Sequence, residues 1–513
     1  MLQTTEEQLL GGGEDVPSRG RRESRVAAPL GKCGLVALTF FSVTGGPFGQ
    51  ELLVKAGGPL LALGSFAAVT VVWSVPEALM TAELSSAFPE AAGFAAWSNA
   101  AFGPLPAWVD AWCSWVSGVV DNAVYPVLFL EYFGRVTDVL EPPLHRWLFV
   151  GCFVSVLTYL CHRGLDLAGR SAVALAAFVL SPFAVLTVFA APKLRVSRWG
   201  GRARWRDVRV RSLVNNLFWN ANYYDSASAW AGDVDRTAWG GAMVASVALC
   251  AASSLVPMLA ATAASDLRWG DYHNGAYVAV AEDLGGAWLG AWVVVSAAAA
   301  NVGMFVSEMS SDAYQLSGMA ERGLLPAALA RKSPTTGTPT VAIGLSALGV
   351  LALSGLTFES IVATENLLYV VSMCIELAAF VKLRRSHKDL HRAYTAPLGD
   401  GVLALSVVPA AACLLLVAAV QPLEVWLLAL GLLAAGLAVY AAIGKTRRRG
   451  TLFTYHVLHR DWAAADDGSL AAKLGWADTL EDDPTALPEY WSSASETPRS
   501  SSLSDQDNVL RAG

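Results

Sequence analysis

Apolar residues in this chain are gathered into long, nearly charge-free blocks separated by short polar stretches. The blocks run Gly34–Ala56, Pro59–Ala87, Pro104–Phe133, Trp147–Cys161, Ala168–Ala191, Leu213–Gly232, Gly240–Ala264, Ala287–Ala320, Pro339–Leu353, Ser360–Val381, Val402–Val420 and Val425–Ile443. By the length of apolar run that crosses hydrocarbon, the pattern predicts about a dozen transmembrane helices and an all-α polytopic membrane protein. The expected organisation is an N-terminal tail over 1–32, a transmembrane core over 33–444 and a C-terminal tail over 445–513.

Two blocks break the rule that a membrane helix is evenly apolar. In "SVTGGPFGQE", Gly45, Gly46 and Gly49 permit backbone conformations closed to other residues, Pro47 removes a donor, and Glu51 follows within a few residues. Inside hydrocarbon such a break survives only where protein or a watery cavity takes up the freed backbone groups. The second, "LVNNLFWNANYYDSASAWAGD", carries Asn215, Asn216, Asn220, Asn222 and Asp225, too polar for a helix facing lipid on all sides.

The disturbed helices open two blocks of similar length, about 34–191 and about 213–381, each of about five spans, with two further helices over about 402–443. That is the layout of inverted repeats with discontinuous first helices, whose half-helix ends and loose carbonyls hold a substrate near the bilayer midplane. A simple proline kink is the plain reading of the first break alone; the pairing of two breaks half a protein apart favours transport.

Composition agrees with this picture: the chain has 513 residues, 54% hydrophobic and 15% charged. The polar N-terminal segment, with Glu6, Glu7, Arg19, Arg21, Arg22 and Arg25, is not a cleavable signal peptide. Arg322, Arg331, Lys332, the run Lys382–Arg392 and the run Lys445–Arg449 share one side if twelve spans leave both termini cytosolic. The basic run Ala191–Arg211 then falls outside, against the rule, and is expected to meet lipid headgroups or other loops rather than nucleic acid. The net charge of −7 owes much to an acidic, Ser-rich C-terminal tail, expected to be largely disordered and open to phosphorylation. The 7 cysteines lie mostly inside spans without paired spacing, so neither a disulfide framework nor a metal site is expected.

The stretches "SVTGGPFGQE", "WSVPEALMTAELSSAFPEAAGFAAW", "WVSGVVDNAVYPVLFLEYF", "LFWNANYYDSASAWAGDV", "SSDAYQLSGMAERGLLP" and "GTPTVAI" resemble, in this order, the amino acid, polyamine and organocation superfamily. Within it the chain is most similar to the polyamine-uptake branch related to the L-type amino acid transporters. The resemblance covers about 34–444 and implies a LeuT-like fold, a five-plus-five inverted repeat with helices 1 and 6 broken. It further implies sodium-independent, proton-coupled uptake without a cofactor. Relatives taking amino acids often carry Gly-Ser-Gly at the first break to receive a carboxylate. Here Gly45-Gly46-Pro47 stands instead, and an acid follows.

Ionisable residues inside spans are costly and mark function by default. Here they are acids: Glu77, Glu83, Asp110, Asp121, Asp225, Glu308, Asp312, Glu365 and Glu376, with Lys and Arg almost absent from the same segments. Carboxylates without resident cations must be protonated, hydrogen-bonded or paired with something that arrives, which suits a cationic substrate and a proton. Glu77, beside Pro76, is open to a structural reading in which it serves the carbonyls freed by the kink. Glu83 and Asp110 near span ends, and Glu376 near Lys382, are open to structural readings as well. Asp225 sits in the second break, where it can also cap the following half-helix with Ser226 and Ser228.

By its place upstream of "ERGLLP", Glu308 resembles a substrate-facing residue of the eighth helix, and with Asp225 it is a candidate for proton coupling. Asp121 and Tyr125, four apart, share one helix face. Trp219, Tyr223, Tyr224 and Tyr369 add aromatic faces of the kind that attract ammonium. Gly45, Gly46, Gly49, Glu51, Asn220 and Asn222 complete the expected substrate-binding set.

Three functions fit. The first is a proton-coupled polyamine importer of the plasma membrane; the second is a transporter of neutral or cationic amino acids on the same fold; the third is a non-transporting membrane sensor. No Walker loop, HExxH, paired CxxC or nucleophile elbow supports an enzyme. No loop cysteine in "GRVTDVLEPPLHR" is placed to join a glycoprotein partner.

Overall fold

In hydrocarbon a segment must satisfy its backbone from within, so the apolar runs become helices. The computed structural model describes residues 30–133, 142–200, 205–355, 357–388, 390–397, 399–449, 458–459 and 480–481. The N-terminal tail up to residue 29 and nearly all of the acidic C-terminal tail lie outside the described residues.

The helices of the first half are α1 (Lys32–Val43), α2 (Glu51–Val69), α3 (Val75–Ala87), α4 (Phe94–Phe102), α5 (Pro104–Asn122), α6 (Val124–Phe133), α7 (Pro143–Cys161) and α8 (Leu165–Ala190). The second half holds α9 (Val210–Trp219), α10 (Trp239–Ala264), α11 (Ala276–Gly285), α12 (Ala287–Glu321), α13 (Thr340–Leu353), α14 (Phe358–Ser386), α15 (Asp400–Ala419) and α16 (Leu423–Arg449). Among the described residues the only strand pair is a two-residue parallel bridge, Leu458–His459 with Leu480–Glu481.

Among the described residues, eight helical stretches are long and apolar enough to cross a membrane. With the two interrupted helices, α13 and α15, the described chain makes twelve passes. The N-terminal end of α1 is tied to the end of the sixth pass by Leu30 N–H on the Asp233 carbonyl, 2.7 Å. From there the path alternates faces, so Arg322, Arg331, Lys332 and the end of α14 lie on the face where α1 starts. Residues 191–200 and 205–209 lie on the other face, where Arg198 pairs with Asp266 and Arg195 N–H donates to Ala263 O at the end of α10, 2.9 Å.

Three features depart from the apolar runs. Gly58, with φ 75° and ψ 168°, splits α2, so Glu51–Gly57 continues the first pass and Pro59 begins the second. A π-helical turn, Thr70–Ser74, leads into Pro76, a widening of the kind often found at functional sites. The short helices α4 and α11 turn at the two faces without crossing; their 9 and 10 residues are too few to register as spans.

Candidate functional site

Between α1 and α2 the chain leaves the helix over Thr44–Gln50. Gly45, Gly46 and Gly49 all take positive φ (55°, 120° and 81°), which a side chain would strain. Polar side chains stand in for the missing helical bonds. Thr44 Oγ1 donates to Gly46 O at 2.8 Å, and Gln50 Nε2 donates to Thr44 Oγ1 at 3.1 Å and to Ser254 Oγ of α10 at 2.7 Å. The neighbours are close: a Cβ on Gly45 would meet the Met304 side chain at 2.4 Å, and one on Gly49 would meet the Trp219 ring at 2.6 Å.

The second break, Asn220–Tyr224, separates α9 from a 3-10 helix, Asp225–Asp233, where sequence suggested a second α-helical half. Tyr223 is the single non-glycine residue with positive φ among the described residues, at 76°. It is held in that sparsely populated conformation by its surroundings. Its ring stacks on Tyr369 (4.7 Å, 11°), its N–H donates to the Tyr369 hydroxyl at 3.1 Å, and its hydroxyl meets Ser117 Oγ at 2.9 Å. Of the two readings left open for Glu77, its hydrogen bonds fit the one away from the Pro76 kink. Its Oε1 accepts from the N–H of Tyr224 at 2.6 Å and of Asp225 at 3.3 Å, across 147 and 148 residues of sequence, and from the Tyr369 hydroxyl at 2.9 Å.

Around this break the acids form two groups. In one, Asp121 accepts from Trp219 Nε1 at 2.6 Å and from Tyr125 at 3.1 Å, and Tyr125 also bonds Glu308. Asn122, next in sequence to Asp121, donates to Asp312 at 3.1 Å. In the other, Tyr369 bonds both Glu77 and Asp225, while Ser98 and Ser372 bond Asp110 and Ser372 reaches Glu376 at 3.1 Å. Glu365 lies between them, accepting from Asn222 at 3.3 Å.

All eight carboxyl groups are buried, and among the described residues no Lys or Arg is within ion-pair distance of any of them. One oxygen each of Glu77, Glu308, Glu365 and Glu376 accepts no hydrogen bond from a donor group among the described residues. Proton counting sharpens this. A phenol carries one hydrogen, so Tyr125 between Asp121 and Glu308 can donate to only one of them, and the other contact needs a proton on the carboxyl. The same holds for Tyr369 between Glu77 and Asp225.

Of the residues singled out from sequence, the structure brings together Asp121, Tyr125, Trp219, Asn222, Tyr223, Asp225, Glu308 and Tyr369, with Gly49 against Trp219. It places Glu51, Gly46 and Asn220 elsewhere. Glu51 heads its half-helix and accepts from Gly275 N–H at 3.1 Å, in the loop before α11. Gly46 faces Val179 of α8, and Asn220 folds back onto Asn216 O at 2.8 Å to close the end of α9. Asp110 and Glu376, left open to structural readings, join the second acid group rather than any cation. Sequence reasoning missed Ser98, Ser372 and Asn122, whose signal is only that they are polar residues in apolar helices.

The two ends of this core are closed differently. On the face where α1 starts, Glu83 is clamped by Arg384 (2.8 Å) and Arg392 (3.1 Å), and Glu90 pairs with Arg322. On the other, a cavity of about 540 Å³ opens between α9, α14 and the turn before α16, with Asn215, Asn216 and Phe358 in its lining. Phe358 meets Trp219 edge-on at 5.6 Å, so this aromatic pair stands between the cavity and Asp121.

Comparison with known proteins agrees with the geometry. The family model described as "Amino acid permease" matches residues 34–431. The chain is 42% identical over 433 residues to "Polyamine transporter PUT1" of Oryza sativa subsp. japonica, covering 84% of this chain and 80% of that one. It is 40% identical over 444 residues to "Probable polyamine transporter At1g31830" of Arabidopsis thaliana, covering 85% and 88%. To "Polyamine transporter RMV1" of Arabidopsis thaliana it is 39% identical over 421 residues, covering 82% and 86%.

Proposed function

We propose that this chain, which belongs to the amino acid permease family, is a secondary transporter that imports polyamines such as putrescine, spermidine or spermine by proton symport. The observation that carries the reading is the set of eight buried carboxyl groups around the second break, without a Lys or Arg at ion-pair distance among the described residues, four of them with an oxygen that no donor reaches. An isolated buried carboxylate is unstable, so such a set is neutral or awaits cations. A flexible amine with ammonium groups at both ends supplies them, one to each acid group, with its methylenes against Trp219, Tyr223 and Tyr369. The names of the relatives support the same substrate class.

Proton coupling follows from the shared hydrogens at Tyr125 and Tyr369. One proton on each pair, Asp121–Glu308 and Glu77–Asp225, lets both contacts of the shared tyrosine form; the ionised member of each pair receives an ammonium group, and the proton held at Glu308 or Asp225 travels inward with the substrate. The first break contributes little for an amino acid's carboxylate: Pro47 has no N–H, and that of Gly45 is spent on Phe40 O at 2.9 Å. Opening of the Glu83 and Glu90 ion pairs alternates with closure above Trp219 and Phe358, by rocking of repeats over about 34–191 and 213–381. The face bearing those ion pairs is cytosolic and holds both termini, in the plasma membrane, as the excess of Lys and Arg there supports.

The test is uptake of labelled spermidine and labelled leucine into cells lacking their own carriers, at acidic and neutral outside pH, for the wild type and Glu308→Gln. Spermidine uptake should rise at acid pH and fall at least about tenfold in the variant, the size of a lost charge-assisted hydrogen bond. Leucine uptake without spermidine uptake overturns the proposal and moves the protein to amino acid transport.

A further inference from the structure

Near the end of α14 three cations within four residues face different surroundings. Arg384 turns inward to Glu83, whereas Lys382 and Arg385 stay exposed. They rim a groove of about 630 Å³ between α4, α14 and α15, whose wall is almost wholly apolar and includes Phe102, Leu377, Ala378, Val407 and Leu414. Lys382 Nζ stands 4.9 Å from the centre of the Phe102 ring, and among the described residues the Arg385 side chain has no partner.

Depth decides what can fill this groove. α14 has 29 residues, about 43 Å at 1.5 Å per residue, longer than a hydrocarbon core of about 30 Å. Its last turns therefore reach headgroup level. Cys374, at the other end of the groove, is two turns deeper, about 12 Å into the acyl region. The groove thus joins two cations at the headgroup level to an apolar trough below them, and no Asp or Glu lines it.

We propose that this groove binds an anionic phospholipid, its phosphate and headgroup charge on Lys382 and Arg385 and one acyl chain along Leu377, Ala378, Val407 and Leu414. A zwitterionic headgroup brings its own cation against the two already there and is disfavoured. A soluble phosphate ester has nothing to place in the trough.

The experiment uses the purified full chain, stripped of lipid in detergent and titrated with phosphatidylserine, phosphatidylcholine or glycerophosphoserine. Retained lipid is read by native mass spectrometry and the thermal midpoint is followed in parallel. Phosphatidylserine should be retained over phosphatidylcholine by about tenfold or more, from two cations at the headgroup level. Lys382→Gln with Arg385→Gln should erase that preference while leaving the midpoint in phosphatidylcholine unchanged. If the double variant does not fold, Arg385→Gln alone should remove part of it. Ala378→Trp, which fills the trough and keeps both cations, should also lower phosphatidylserine retention. Equal retention of the two lipids by the wild type, unchanged retention in Ala378→Trp, or equal protection by glycerophosphoserine would each overturn the proposal.

Discussion

The two broken helices solve one problem by opposite means. At Thr44–Gln50 the backbone is freed by three glycines, and the loosened Gly46 carbonyl is met by neutral side chains, Thr44 and Gln50, the latter held by Ser254. At Asn220–Tyr224 there is no glycine; a tyrosine takes the left-handed conformation, and the freed N–H groups of Tyr224 and Asp225 are met by a carboxylate. Small residues at the first break let neighbours come close, as Trp219 does over Gly49. Charge-bearing residues at the second gather the site. Discontinuity supplies backbone freedom in both, but only the second turns it into chemistry, so the chemistry cannot be inferred from a break as such.

The sharpest way to break this contrast is Gly49→Val. Its φ of 81° disfavours any side chain, and the added Cβ would strike the Trp219 ring that donates to Asp121. Strain and overpacking together should cost about 3 kcal/mol or more; spermidine uptake near background with a lowered thermal midpoint is expected, and wild-type uptake would refute the close approach. Next comes Glu77→Ala, which leaves two backbone donors and the Tyr369 hydroxyl without their acceptor, at about 2–4 kcal/mol. Glu77→Gln keeps a carbonyl oxygen there and should recover about half of the midpoint; equal losses in the two variants would show that charge, not acceptance, is what matters. At the first break Gln50→Leu should cost only about 1 kcal/mol, the worth of neutral hydrogen bonds, with most uptake kept. A loss as large as that of Glu77→Ala would erase the distinction. Smallest is Tyr223→Phe, which gives up the Ser117 bond but keeps the stack on Tyr369, about 0.5–1 kcal/mol by thermal melting.

Much of this was legible along the chain, for reasons that differ by element. Spans are local: a run such as Trp239–Ala264 declares itself because hydrocarbon thickness sets its length. Both breaks were legible too, the first from Gly and Pro, the second from a density of Asn and Asp. Asp121 and Tyr125, set on one helix face by their spacing, do share a hydrogen bond, whereas Glu308 stood out by resemblance alone and nothing in the sequence joined it to Tyr125. What sequence could not give was partnership at a distance. Nothing near Pro76 says that Glu77 reaches Tyr224 rather than its own helix, and nothing near Gly49 says that Glu51 meets the N–H of Gly275. Those pairings depend on which faces of α3, α11 and α14 meet, and apolar periodicity in a membrane helix is too weak to fix a face. The short α4 and α11 escaped because they cross nothing.

One helix touches both breaks. Along α12, Met304 lies against Gly45, Ser307 bonds Leu38 O at 2.8 Å and Ser42 at 2.9 Å, Glu308 bonds Tyr125, and Ser311 bonds Ser226 O at 2.9 Å. From Met304 to Ser311 these contacts occupy about 10 Å of a rigid rod. A tilt or axial slip of that rod is therefore delivered to the two interruptions in the same instant and in fixed proportion. The halves of the molecule are geared together, so neither break can shift while the other holds still.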